Sequence, residues 1–236
     1  MKKPSISIVI PALNEAANIS NICACLKAQT YAAVEVIIVD GGSTDKTQEL
    51  FEKEGMRVLS GPRGRGNQIH LGSLKAKGDI IFVMHADMTL DSQVLEKIAS
   101  AFSKDDLLIG GCVGSAFDQD FFKFRFLSWL NNLRITLTGI SFGDQGQFFL
   151  RQRGLDESWI QAIPLMEDVE LALRMKAAGK TIQLNGGIIA STRRWQHRSV
   201  LFNAIYVSYL LSKYLFLRRF KKDFSVEKFY ESYYKK

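Results

Sequence analysis

Four aspartates, Asp40, Asp87, Asp144 and Asp168, fall where the chain is expected to end a strand or begin a helix. Asp40 closes the β-branched run Val36-Ile37-Ile38-Val39 and opens Gly41-Gly42-Ser43-Thr44-Asp45. An apolar run without alternation suits a strand buried on both faces of a parallel sheet. The C-terminal edge of such a sheet is where ligands bind. Two glycines there let the backbone turn and approach a ligand closely, and a carboxylate can accept hydrogen bonds from a base or a ribose. The pattern argues for a nucleotide site without naming a reaction. Asp87 follows a second buried run, Ile80 to Met84, so it belongs to the same edge. A carboxylate beside a diphosphate is repelled unless a divalent cation lies between them, and Mg²⁺ or Mn²⁺ bridges phosphates in this way. Here the step reads His85-Ala86-Asp87 rather than Asp-x-Asp. Imidazole suits Mn²⁺ better than Mg²⁺, which makes His85 a second candidate ligand; contact with a sugar, or simple packing, are the alternatives.

Two further clusters carry charge at telling places. Arg63 and Arg65 sit among Gly61, Gly64 and Gly66. Arginines on so open a loop can reach a phosphate, or stand solvated on an exposed turn. Met166-Glu167-Asp168-Val169-Glu170-Leu171 puts three acids at a helix start. They can complement the helix dipole, or one of them, Asp168, can serve as a general base.

The elements that must position these groups alternate. Ile6–Ile10 reads as a first strand, with Asn14 as N-cap of a helix carrying Ile19, Ile22, Cys23 and Leu26. The strand ending at Asp40 is followed by a helix with Leu50 and Phe51, then by the short strand Arg57-Val58-Leu59. A helix through Ile69 and Leu74 leads to the strand from Ile80, and Asp91 caps a helix with Val94, Leu95, Ile98 and Phe102. The order predicts an α/β fold with a doubly wound, mostly parallel sheet. The later half is less regular. Residues 121–138 read as a helix crowded with aromatics, Gln147–Leu150 as a strand and Glu167–Ala178 as a helix. Two short strands, Thr181–Leu184 and Ile188–Ala190, precede a long apolar helix at about 199–217.

Composition bounds the rest. A chain of 236 residues with 47% hydrophobic and 23% charged residues is ordinary for one folded domain. Cys23, Cys25 and Cys112 form no Cys-x-x-Cys pair, so they read as packing residues in a reducing compartment. The net charge of +7 is a property of the tail: residues 193–236 hold eleven Lys/Arg against three Asp/Glu. That balance fits an anionic membrane surface or a solvated helix face; a nucleic-acid role is the weakest reading, because no binding motif accompanies it.

In order along the chain stand PALNE, VDGGSTDKT, HAD, GDQG, MEDVEL and STRRW. This set resembles family 2 glycosyltransferases of the GT-A fold, within them a small bacterial subgroup with GDQ, PLMEDVE and RRW motifs, over about residues 5–197. The resemblance implies an enzyme, a hexosyltransferase-like inverting transferase that uses a nucleotide-activated sugar and a divalent metal, Mn²⁺ or Mg²⁺. It implies that Pro11, Ala12, Asn14, Glu15, Asp40, Gly41 and Ser43 meet the base and ribose, with Arg65 at the diphosphate and Ala86 beside the donor. It implies Asp87 at the metal, Asp168 as base, and Asp144, Gln145 and Glu167 on the acceptor or diphosphate side with Arg194 and Trp195. Ser191 replaces the glutamine of the QxxRW motif of processive synthases. Together with the lack of their many membrane spans, this points away from polymerisation. A UDP-sugar is the expected donor.

The resemblance divides the chain into a transferase domain, 1–197, and a helical tail, 198–236. Within the tail, Val200–Leu217 is apolar but interrupted by Lys213 and several polar residues, which disfavours spanning a bilayer. Arg218-Arg219-Phe220-Lys221-Lys222 follows at once, as in helices that lie on membrane surfaces. The expectation is a cytoplasmic protein in peripheral contact with the inner face of the cell membrane and a lipid-linked acceptor. Packing of this helix on the domain or on a second copy, as a homodimer, is the alternative. Two other function classes fit parts of the chain. A nucleotidyltransferase would need a lysine and a Gly-rich signature on the first βα loop, which PALNEAAN lacks; a non-catalytic nucleotide-sugar-binding or scaffold protein would bind donor without turnover.

Overall fold

The computed structural model describes residues 3–118, 121–190 and 200–220, with residues 226 and 229. Eight strands, β1 (Ile6–Ala12), β2 (Glu35–Asp40), β3 (Arg57–Ser60), β4 (Ile80–Val83), β5 (Met88–Leu90), β6 (Leu108–Phe117), β7 (Gln147–Leu150) and β8 (Lys180–Ala190), form one sheet. Its order is β3-β2-β1-β4-β7-β6-β8-β5. The first four strands are mutually parallel, as the alternating βα pattern predicts. Beyond β4 the sheet turns mixed: β7 runs antiparallel to both β4 and β6, β8 runs parallel to β6, and β5 antiparallel to β8. The sheet is therefore mixed rather than doubly wound throughout, with four of its seven pairings parallel and three antiparallel.

Alternation within buried strands builds two cores. Ile8, Ile10, Ile38 and Phe82 face one layer, which includes α1 (Ile19–Lys27), α2 (Thr47–Lys53) and α4 (Val94–Lys104). Val9, Ile37, Val39, Ile81 and Val83 face the other, with α3 (Arg65–Lys75) and α7 (Glu167–Ala178). Successive side chains point to opposite faces of a strand, so a run of β-branched residues feeds both cores at once. The three cysteines are free and buried, and burial pushes the Cys112 thiol up to about 12.

Several elements depart from the sequence expectation: β5 and the short helix Arg151–Asp156 are absent from it, the N-cap of α4 is Gln93 rather than Asp91, and three further cases have physical reasons. Strand β6 reads poorly because three of its ten residues are glycines, which have low strand propensity. They are needed where the strand is squeezed between neighbours: a Cβ at Gly111 would lie 2.0 Å from the Ile182 carbonyl oxygen, and one at Gly110 2.6 Å from that of Phe148. Strand β8 runs unbroken through the predicted gap, with Gly186 and Gly187 at positive φ where its register on β6 shifts. Asn14 is not a helix N-cap; it stands in the left-handed region at φ 56°, and α1 begins only at Ile19. The remaining helices are α5 (Phe122–Thr138), α6 (Arg151–Asp156) and α8 (Val200–Phe220). Helix α8 is docked on the body: Leu210 and Tyr214 pack with Ile140, Leu165 and Val169. Among the described residues no helix is long and apolar enough to cross a membrane.

Candidate functional site

The C-terminal ends of β1, β2 and β4 meet on one edge, as parallel pairing dictates, and Ala12 is in register with Asp40. Asp40 is fully buried. One of its oxygens accepts hydrogen bonds from the backbone N–H of Gly42 (2.8 Å) and Ser43 (2.9 Å) and from the Gln48 amide (2.7 Å); the other accepts from the Ser43 hydroxyl. Burial alone would raise its pKa, but these hydrogen bonds outweigh burial and hold the carboxyl below its ordinary value. The acid thus folds its own loop.

That loop is laced to the one after β1. The Asn14 N–H donates to the Ser43 hydroxyl (2.8 Å), the Thr44 N–H to the Asn14 side chain (2.9 Å), and the Glu15 N–H to Thr47 Oγ1 (2.8 Å). Pro11 and Ala12, both buried, end β1 beneath it. Gln68 of α3, which the sequence reading passed over, ties the two strand ends from below. Its amide donates to the carbonyls of Ala12 (2.8 Å) and Val39 (2.7 Å), and it packs against Gly41. Only the neighbouring glycines and arginines drew attention to this segment.

Arg65 opens α3, but its Nε lies 3.0 Å from Glu167, whose side chain is 3% exposed. Gly66 allows this approach, since a Cβ there would sit 2.4 Å from the Ile163 carbonyl oxygen. Arg63 stands exposed on the loop. The three acids at the start of α7 separate: Glu167 reaches Arg65, Asp168 turns to the Gly143 backbone, and Glu170 goes to α8. There Glu170 accepts from Tyr214 (2.8 Å) and pairs with Arg218. Burial, then the Glu170 carboxylate, pushes the Tyr214 phenol well above its usual range.

Asp168 is half-buried. It accepts from the Gly143 N–H at 2.7 Å and from the Val169 N–H at 2.7 Å, at a helix N-terminus that favours the anion. Gly143 opens a 3₁₀ turn, Gly143–Gln145, and lies against the His85 ring; a Cβ there would be 2.3 Å from His85 Cε1. His85, Gly143 and Asp168 therefore form one chain of contacts, which joins three segments far apart in sequence. Asp144 is half-buried in the turn, while Gln145 is fully buried and points inward. Its side-chain oxygen accepts from Arg134 (2.8 Å) and from the Phe142 N–H (2.9 Å).

Arg134, on α5, is another residue the sequence reading missed; its aromatic surroundings hid it. The guanidinium stacks on the Phe142 ring at 3.5 Å and donates to the Ile140 carbonyl at 3.2 Å. Burial pulls its pKa down, and the carboxylates of Asp144 and Asp168 act against that. It is a cation that interacts with both acids.

Ala86 and Asp87 line a polar cleft together with Asn18, Asn21, Thr89 and Asp118. Asp118 had no role from sequence. Among the described residues no three His, Cys, Asp or Glu side chains are grouped to hold a metal by themselves. The oxygen donors of this cleft nonetheless fit a hard cation whose remaining ligands are phosphates and water, since Mg²⁺ sites use one or two carboxylates. The His85 ring packs on Gly143. Arg194 and Trp195 lie outside the described residues.

This architecture has known counterparts. The solved glucosyl-3-phosphoglycerate synthase from Mycobacterium tuberculosis, in complex with Mn²⁺, UDP and glucosyl-3-phosphoglycerate, superposes with a TM-score of 0.57 at 19% identity, over 77% of this chain and 70% of that one. Residues 1–349 of TarS from S. aureus give a TM-score of 0.61 at 16% identity, over 80% and 60%. Both show likeness of fold. In sequence, an uncharacterized glycosyltransferase of Mycobacterium tuberculosis is 31% identical over 112 residues, 47% of this chain and 50% of that protein. The chain thus spans about half the length of the curated relatives it matches. Residues 7–159 match the model of glycosyl transferase family 2. With that match across most of the sheet and the loops after β1 and β2, the chain belongs to glycosyl transferase family 2.

Proposed function

We propose that this protein is an inverting glycosyltransferase that moves a hexosyl-type sugar from a UDP-sugar to a hydroxyl of a lipid-linked acceptor at the inner face of the cell membrane. The observation that carries this reading is the contact chain His85–Gly143–Asp168, which sets a half-buried carboxylate beside the HAD segment. Asp168 takes the proton from the acceptor hydroxyl. The acceptor oxygen bonds to the anomeric carbon from the face opposite the departing nucleoside diphosphate, and the bond to the phosphate oxygen breaks. Asp144 lines the acceptor side, with Gln145 acting from beneath as the latch of the turn. Pro11, Ala12, Asn14, Glu15, Gly41 and Ser43 meet the base and ribose. Asp40 holds their turn; direct pairing with the base would require Ser43 or Gln48 to release it. Arg65, poised by Glu167, faces the diphosphate, where Arg194 joins it, with Trp195 at the acceptor.

Asp87 and Asp118 would hold a divalent cation. When bound, that cation offsets charge growing on the leaving phosphates. The Mn²⁺ and UDP of the mycobacterial synthase support this assignment by analogy of fold. His85 acts by packing Gly143, and thus as a positioning residue.

The test is a donor screen: nucleotide-sugar hydrolysis and thermal shift with Mn²⁺, Mg²⁺ or EDTA, beside Asp87→Ala and Asp168→Asn. The expected result is a metal-dependent response to one donor, lost in Asp87→Ala, with donor binding kept and transfer lost in Asp168→Asn. Donor binding without turnover by the wild-type protein would instead support the non-catalytic binding reading.

A further inference from the structure

Helix α8 presents its apolar residues on two faces. One face, with Leu210 and Tyr214, is buried against Val169 and Ile140. On the other, Ile205, Tyr209, Phe216 and Phe220 are each more than half exposed. At 3.6 residues per turn these four fall within about 60° of arc. Lys213 borders the stripe on one side and Arg219 on the other. The helix contains no Asp or Glu.

Helix α5 repeats the pattern independently. Phe122, Phe126, Trp129, Leu130 and Leu137 are exposed and share about 100° of arc. Phe126 stacks against Phe122 and Trp129, at 6.3 Å and 5.8 Å between centroids. Lys123 and Arg125 border this ridge, and α5 too has no acidic residue. Contiguous exposed apolar surface on a folded domain marks an interaction site.

We infer that these two stripes dock the protein on the surface of an anionic lipid bilayer. An apolar stripe flanked by cations, with aromatics at the boundary, is the pattern of helices that lie in the headgroup plane. Charge decides against a second copy of the chain: pairing either helix with itself would bring cations together with no acid on the helix to answer them. Helix α8 packs on the cluster of Ile140 and Val169; Val169 follows Asp168 directly in sequence, and Ile140 lies two residues beyond the end of α5. A bilayer against these faces would bring a lipid-borne hydroxyl to the acceptor side. The inference deepens the transferase reading by naming its partner surface, and rests on that reading only for this last connection.

Sedimentation of the full chain with phosphatidylglycerol-containing vesicles, beside pure phosphatidylcholine vesicles, tests it without any turnover. Failure here is thus separable from failure of the donor screen. Binding to the anionic vesicles, weakened by salt, is expected. Phe216→Ser with Phe220→Ser, and separately Phe126→Ser with Trp129→Ser, should each weaken it at least about tenfold while circular dichroism stays unchanged. Lys213→Gln and Arg219→Gln should each cost about fivefold. No binding of the wild-type protein to either vesicle overturns the inference. So does a wild-type dimer in light scattering that the stripe variants convert to monomer, which would make the stripes a subunit interface.

Discussion

At the scale of single residues the candidate site depends on which charges are buried together. Asp168 is held by two backbone N–H groups and interacts electrostatically with the half-buried Arg134 guanidinium. Asp168→Asn keeps an oxygen for the Gly143 N–H but cannot take a proton, so turnover should fall by about 10²–10⁴ with donor affinity unchanged. Equal loss of donor binding in calorimetry would remove Asp168 from the role of base. Arg134→Met removes the guanidinium that donates to the Gln145 side chain and the Ile140 carbonyl, so stability in denaturant unfolding should drop by about 1–3 kcal/mol because Gln145 loses its partner. Arg134→Lys should restore part of that loss; unchanged stability in Arg134→Met would show that the turn holds without it. Asp40 adds a pH dependence to stability. Its folded pKa is depressed, so its stabilisation is complete above the ordinary aspartate value and disappears as pH falls through the lower folded one. Asp40→Ala should accordingly lower the Tm at neutral pH and lose that effect in strong acid, as thermal melts across pH would show.

Between elements, glycine contacts decide what the chain can build. Strand β6 fits between β7 and β8 only because Gly110 and Gly111 lack side chains. Gly111→Ala would drive a methyl into the Ile182 backbone, and the expected outcome is a loss of about 3 kcal/mol or more in denaturant unfolding. Gly143→Ala acts differently, since its new methyl meets the His85 ring rather than backbone. The HAD and GDQ segments would be pushed apart, and transfer should fall more than stability does. The Glu170 carboxylate links α7 to α8 through Tyr214 and Arg218. Glu170→Ala should detach α8, detectable as faster hydrogen exchange in that helix.

For the whole molecule, donor and metal are expected to act together. Among the described residues no three-ligand metal group exists, so Mn²⁺ alone should leave the Tm nearly unchanged. Donor with Mn²⁺ should raise it, because a ligand that binds only the folded state stabilises in proportion to its occupancy. A large shift with metal alone would show a preformed protein site that the donor does not complete. The excess positive charge gathers in residues 193–236, beginning just after β8 and ending beyond α8. The positive field therefore originates in one part of the sequence, not in its average charge.

Local pattern was enough for the four parallel strands. Apolar runs ended by Pro11, Asp40 and His85 marked β1, β2 and β4, and parallel βα succession put their ends on one edge. Helix α7 and strand β7 were legible to the residue, because helix starts and short aromatic strands carry local signals. Strand β6 was not, since its glycines answer to neighbours far away in sequence rather than to strand propensity. The same distance dependence governs the site. Sequence marked Asp40, Asp87, Asp144 and Asp168 as candidates by type and place, but not Gln68, Asp118 or Arg134, whose positions carry no local mark. Only tertiary packing sends Glu167, Asp168 and Glu170 to three separate partners. The composition of α8 was plain from its residues, while its division into a docked face and an exposed stripe was set by what α7 presents to it. Spacing along a chain determines which residues can share a face; which face is covered depends on surfaces supplied by other segments.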